Sequence, residues 1–454
     1  MVEKTVLRYS KRHRREGHMI IQNVRIMDPG SGRDERCHLI IKDGRIERII
    51  GITEMSDDAG MTLQSVGGSE DNTVIDGTGL IAAPGLIDTH VHFRDPGFTY
   101  KEDIESGAKA AAAGGFTSIV LMANTKPSVD TVETLQYVLE KGAKTAIRIY
   151  SCANISYGMK GQELTDFEAL KEAGAVGFTD DGIPLMDEKL VKCAMERAAK
   201  CGMPLSFHEE DPTVITNNGV NAGPVAEKLG IAGSPREAEI RMVRRDLELA
   251  AGIPADVVIQ HISTAEGVEL VRQARKTNPR VHAEVTPHHF TLTQDAVLEK
   301  GTLAKMNPPL REKRDREALI RGLADGTIEI IATDHAPHSK EEKDRPITEA
   351  PSGILGLETS LGLGIRELVD KGHLSLMELL DKMTYQPACL YQLEGGRIVE
   401  GGPADLVLFD PKEFYKVRGF RSKSQNSPFL GEKLPGKIRY TICGGNLVYR
   451  SEAE

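Results

Sequence analysis

The chain lacks tryptophan, any C-x-x-C pair, any long apolar run and any excess of positive charge. Each absence removes a class of function. A formal net charge of -10 argues against nucleic acid or an anionic membrane as a partner, because both reward basic patches. No apolar stretch approaches the roughly 18 residues that suggest a membrane span. The six cysteines (Cys37, Cys152, Cys193, Cys201, Cys389 and Cys443) are scattered. In a chain of this size they read as reduced, mostly buried thiols, which predicts a cytoplasmic protein. With 5% aromatic and 27% charged residues the composition is ordinarily globular, neither disordered nor fibrous. A length of 454 residues suffices for one large domain and a smaller one.

Residues 1 to 18 differ from the rest, with Lys4, Arg8, Lys11, Arg12, Arg14 and Arg15 against Glu3 and Glu16. No apolar segment follows them, which excludes an ordinary secretory signal. The expectation is a short, disordered basic extension, or a start placed ahead of the true one at Met19.

From 19 to 80 the pattern is short, alternating and rich in turns, and Asp43-Gly44 between two apolar runs signals a hairpin. Residues 54 to 72 read as a long polar surface loop. The texture of the start returns over 392 to 454, so the two chain ends are expected to build one small β-sandwich domain together. Between them, over 81 to 391, strands alternate with helices. The strand candidates are 86–92, 117–122, 146–152, 175–179, 204–207, 257–260, 282–285 and 328–333, with helical patterns such as 166 to 173, 188 to 200 and 236 to 251 between them. This is the α/β pattern of a (β/α)8, TIM-like barrel, which carries its chemistry at the C-terminal strand ends. A doubly wound open sheet is the alternative, but the first strand is not followed by its Gly-rich phosphate turn.

The residues able to bind a metal gather at those strand ends. In Gly85-Leu86-Ile87-Asp88-Thr89-His90-Val91-His92-Phe93-Arg94, His90 and His92 are two apart, so in an extended strand they share one face about 6.6 Å apart. Asp180 and Asp181, His208, His261 and Asp334 each follow a later apolar run. Imidazoles and carboxylates delivered from separate strands are the ingredients of a catalytic divalent-metal site. An isolated H-x-H, a lone strand-end histidine or an aspartate capping a helix would each be unremarkable, and their common placement is what promotes them. Asp334 ends the strand that closes onto the first, where it can bind metal and also accept a proton from an activated water. Arg94 offers a planar fork suited to a substrate carboxylate, unless it is spent on Asp95 or Glu102. Asn124 and Asn307 suit recognition of a substrate with N–H and C=O groups, though Asn near Pro is more often a turn former. Residues 336 to 356 could cover the site or be an inert connection.

Taken together, the motifs GLIDTHVHFRDPG, GGFTSI, GFTDDG, EVTPHHF, KMNPPLR and IATDHAPH resemble the amidohydrolase superfamily and, within it, the class I bacterial dihydroorotases. The resemblance runs from about Ile20 to Tyr449. It implies that His90, His92 and Asp334 bind the more buried zinc and that His208 and His261 bind a second. Asp181 would bridge the two, although the sequence alone does not separate it from Asp180. It implies one or two Zn2+ per chain, two the better fit, although manganese or cobalt would suit similar geometry. Arg94, Asn124 and Asn307 match residues that hold the substrate carboxylate and ring, His338 matches a substrate contact, and Pro351 and Gly353 would add backbone contacts. Dihydropyrimidinases, hydantoinases and allantoinases typically bridge their metals with a carboxylated lysine, and no lysine occurs between Lys171 and Lys189. The implied reaction is the reversible cyclisation of N-carbamoyl-L-aspartate to L-dihydroorotate, with Asp334 as catalytic acid and base. Rival readings are another cyclic amidase, or a silent scaffold for aspartate carbamoyltransferase. A homodimer and a complex with that enzyme are the partners the resemblance allows. Two positions depart from the family: Ala123 stands where Pro is usual, and Glu209 where many members have Cys, which would place an extra carboxylate near the metal.

Overall fold

The computed structural model describes residues 18–52 and 73–452. The basic extension, apart from His18, and the loop expected over 54–72 lie outside the described residues. Five strands open the chain: β1 (Met19–Asp28), β2 (Arg33–Lys42), β3 (Arg45–Gly51), β4 (Thr73–Asp76) and β5 (Ile81–Pro84). Eight follow in the middle: β6 (Leu86–Val91), β7 (Phe116–Leu121), β8 (Arg148–Ser151), β9 (Phe178–Thr179), β10 (Leu205–Phe207), β11 (Val257–Ile259), β12 (Val281–Val285) and β13 (Ile330–Ile331). Three close it: β14 (Leu406–Lys416), β15 (Lys433–Cys443) and β16 (Asn446–Arg450).

The middle strands pair in parallel, β6-β7-β8 in one run and β9 to β13 in another. Single parallel bridges, Ala153 to Phe178 and Val91 to His335, join the two runs into a closed (β/α)8 barrel. Asp88 helps to seal the join between first and last strands, its Oδ1 accepting from His90 N and Thr333 N, both at 3.1 Å. Every residue of β6 and β7 is buried, as expected for parallel strands covered on both faces. Helices start where short polar side chains can cap them: α1 (Phe167–Glu172) at Asp166 and α2 (Glu188–Cys201) at Asp187, while α3 (Glu237–Ala250) has no side-chain cap. Among the described residues, no helix is long and apolar enough to cross a membrane.

Both chain ends contribute to one eight-stranded sheet, ordered β16-β15-β14-β5-β1-β2-β3 with β4 also on β1. It includes β5 at Ile81–Pro84, just past the expected boundary at residue 80. In β14, Leu406 and Leu408 face the core of the terminal domain, whereas Val407 and Phe409 join the barrel core. The strand is buried on both faces, hence its unbroken apolar run. The hairpin turn falls at Asp43 and Gly44, with φ of 50° and 80°. Left-handed values at both positions match the twist of the flanking strands.

Candidate active site

The strand ends bring all six expected metal ligands together. His90, His92 and Asp181 form one buried trio and Asp181, His208 and His261 another, each with its ligand atoms within 4.8 Å of one another. Asp181 is common to both, so its position suits a bridge. Asp180 faces elsewhere: Oδ1 accepts from Ile155 N at 2.9 Å and Asn154 Nδ2 at 3.1 Å, and Oδ2 from Ser156 N at 3.1 Å. It ties down the loop after β8, so of the two aspartates Asp181 is the one that reaches both trios. Asp334 Oδ1 lies 3.0 Å from His92 Nε2 and 3.6 Å from His90 Nε2, beside the first trio.

Three of the four rings are oriented from behind, whereas His261 Nδ1 is buried without a partner. Glu284 Oε1 is 2.6 Å from His90 Nδ1, Asn124 Oδ1 is 2.9 Å from His92 Nδ1, and Glu210 Oε2 is 3.3 Å from His208 Nε2. With the outer nitrogens carrying the protons, the inner ones turn lone pairs toward the centre. His90 Nε2 and Asp181 Oδ1 are buried without a hydrogen-bond partner, and His208 Nδ1 faces His261 Nε2 at 3.0 Å. Lone pairs meeting lone pairs and carboxylates in a buried place are stabilised by a shared cation, so the donor set fits a divalent ion or a pair of them. Burial pushes the Asp181 and Asp334 carboxyls up, but when the surrounding histidines are protonated their hydrogen bonds and charges outweigh it and hold both below the usual range. Arg94, His261 and Asp334 all adopt positive φ, at 58°, 31° and 48°. Such backbone costs about 1 to 3 kcal/mol per residue and is characteristic of functional sites.

A cavity of about 180 Å³ opens beside these ligands, walled by Arg94, Asn124, Asn307, His338, Ser352 and Gly353 along with the metal-site residues. Arg94 has no carboxylate within ion-pair distance among the described residues. Asp95 bonds to Tyr137 and Lys141, and Glu102 to Ser106 and Ser422. Nε of Arg94 donates only to Pro337 O, at 3.3 Å. Burial lowers its pKa, the nearby acids raise it, and the guanidinium stays charged. Asn307 Oδ1 is buried with no partner. Asn124 lines the cavity too, but its amide is engaged, Nδ2 donating to Asp181 Oδ2 at 3.1 Å. His338 Nε2–H donates to Ser352 O at 2.8 Å, and burial beside Arg94 and Lys101 keeps the ring neutral.

Three expectations need correction. Pro351 does not line the cavity, and its carbonyl accepts from Lys343 Nζ at 2.9 Å; Ser352 takes its place in the wall. Both polar backbone groups of Gly353 are spent within the protein, N on Lys305 O and O on Lys343 and Asn426, so neither is free for substrate. Glu209 does not face the metal site: its carboxyl, pushed well up by burial and by Asp246, is directed to Asp246 and Arg245 of α3. Alternation along the chain turns it away, and the next residue, Glu210, meets His208 instead. Glu284 was missed by sequence reasoning, though a glutamate inside the buried strand Val281–Val285 was a signal.

Residues 81–448 match the amidohydrolase family model. A dihydroorotase of Clostridioides difficile is 55% identical over 95% of this chain and all of its own length, and one of Streptococcus pneumoniae is 50% identical over the same shares. Among solved structures, an L-hydantoinase (dihydropyrimidinase) from Arthrobacter aurescens superposes with a TM-score of 0.82 at 25% identity, over 95% of this chain and 96% of that one. A D-hydantoinase gives 0.81 at 26%, over 95% of both. The chain belongs to the amidohydrolase family, in its dihydroorotase branch.

Proposed function

We propose that the chain interconverts N-carbamoyl-L-aspartate and L-dihydroorotate, with two zinc ions held by His90, His92, Asp334, His208 and His261 and bridged by Asp181. The observation that carries the substrate assignment is Arg94: a charged, carboxylate-free guanidinium facing the cavity beside the metal ligands. A guanidinium without an ion-pair partner in so enclosed a place favours an anion, and a ring bearing a carboxylate supplies it with a bidentate fit. A neutral hydantoin or dihydropyrimidine would leave Arg94 unpaired, despite the shared fold. The names of the full-length relatives at about half identity support the same substrate.

Bound divalent ions would supply Lewis acidity toward the ring carbonyl and lower the pKa of water to near 7. Arg94 holds the substrate carboxylate, and Asn307, with its free carbonyl oxygen, can accept from a ring N–H, which fixes the scissile amide over the ligands. Asp334, ionised at neutral pH, accepts a proton as the oxygen of water bonds to the carbonyl carbon. As the C–N bond breaks, the same carboxyl returns the proton to the departing nitrogen. Cyclisation is the reverse, with Asp334 taking the proton from the carbamoyl nitrogen. Replacing Asp334 by Asn should lower kcat by about 10³-fold or more, while His90, His92, Asp181, His208 and His261 still retain metal. Full activity in that variant would remove Asp334 from the role of proton carrier.

A further inference from the structure

We propose that Asn426, from the segment joining β14 to β15, is a positioning residue for substrate binding: it clasps the loop after β13 to the loop carrying Ser352 and Gly353, and so sets His338 in the cavity wall. This rests on the substrate assignment above. Asn426 belongs to the terminal part of the chain, yet it is buried against the barrel mouth. Its Nδ2 donates to Ala336 O at 3.0 Å and to Gly353 O at 3.1 Å, and its Oδ1 accepts from His338 N at 3.1 Å. Its own carbonyl accepts from Leu355 N at 3.0 Å. One carboxamide thus satisfies backbone on both loops, which also meet through the bridge of His335 with Ile354, the bond from Ala336 N to Ile354 O at 2.8 Å and that from Gly356 N to His335 Nδ1 at 3.2 Å.

Lys343 closes the clasp from the other side. Its Nζ donates to Pro351 O at 2.9 Å and to Gly353 O at 3.0 Å, so the Gly353 carbonyl is gripped by both residues. What this fixes is the relation between His338 and Ser352, whose 2.8 Å hydrogen bond keeps the imidazole against the cavity. Neither Asn426 nor Lys343 lines the cavity or reaches the metal ligands. Without the clasp the loops would sample other arrangements, and substrate would bind only the fraction already in place. Asp334 is held separately, by His92 at 3.0 Å, so the chemical step should be largely kept.

The test compares wild type, Asn426→Ala and Lys343→Met by KM and kcat on L-dihydroorotate, bound metal, and hydrogen exchange at the His338 amide. The expected result for Asn426→Ala is a KM about tenfold higher, the order for leaving buried groups unpaired, with kcat and metal content within twofold. Exchange at His338 should speed up while the barrel strands stay protected. A merely structural role would lower the active fraction and leave KM alone. A KM within twofold of wild type overturns the proposal, however exchange behaves. Should Asn426→Ala fail to fold, the KM of Lys343→Met is read by the same criterion. A wild type inactive on L-dihydroorotate would instead sink the substrate assignment, and unchanged exchange at His338 in the variant would then overturn the clasp separately.

Discussion

Asp180 and Asp181 are adjacent, chemically identical and almost equally buried, yet one holds a loop and the other joins two groups of candidate metal ligands. Nothing in the sequence separates them, because the distinction depends on where the chain turns after β9. His90, His92, His208, His261 and Asp334 were legible because each follows an apolar run at a strand end. Their supports were not: Glu284 meets His90 only across the closed barrel, and Glu210, though two residues from His208, follows no apolar run that would mark it. The 2.6 Å contact from Glu284 to His90 Nδ1 makes a prediction at this scale. Glu284→Gln keeps the size but can no longer stabilise the ring as a carboxylate does. Metal affinity should fall by about 10- to 100-fold, read by titration with a competing chelator. Unchanged affinity would show that His90 needs no such partner.

At the scale of elements, the strand and helix pattern was readable over most of the chain, since apolar runs and Asp caps mark the boundaries locally. The fourth and eighth strands shortened from 175–179 and 328–333 to Phe178–Thr179 and Ile330–Ile331. Apolar sequence extends further than ladder pairing there, because each abuts or lies near a join of the barrel where pairing thins to a single bridge. The segment between β14 and β15 carried no sequence sign of its role, yet it crosses to the barrel mouth with Asn426 and also meets Glu358, whose Oε1 accepts from Arg421 N at 2.7 Å. Burial pushes the Glu358 carboxyl up to about 8. An unfolded glutamate titrates near about 4.3, so between these values the folded chain holds a proton that the unfolded chain releases. The associated stability is full below about 4.3 and is lost as pH climbs through 8. Glu358→Gln removes that dependence and keeps an acceptor for Arg421 N. Its urea midpoint should therefore rise relative to wild type from pH 5 to pH 8, and a constant difference would contradict the shift.

For the whole molecule, the barrel and the shared terminal domain followed from the alternation of strands and helices and from the matching texture of the two chain ends. What sequence pattern alone could not give was the unpaired state of Arg94, since Asp95 and Glu102 were equally plausible partners until the fold placed them elsewhere. On that guanidinium the choice between a carboxylated and a neutral ring depends, in a fold that also superposes on hydantoinases. The most direct measurement is turnover by the purified, zinc-loaded chain of L-dihydroorotate beside dihydrouracil, hydantoin and allantoin at equal concentration. The account predicts rapid loss of L-dihydroorotate alone, abolished by a chelator and restored by zinc. Turnover of a neutral ring in its place would contradict the role given to Arg94, and silence on all four would contradict the enzyme itself.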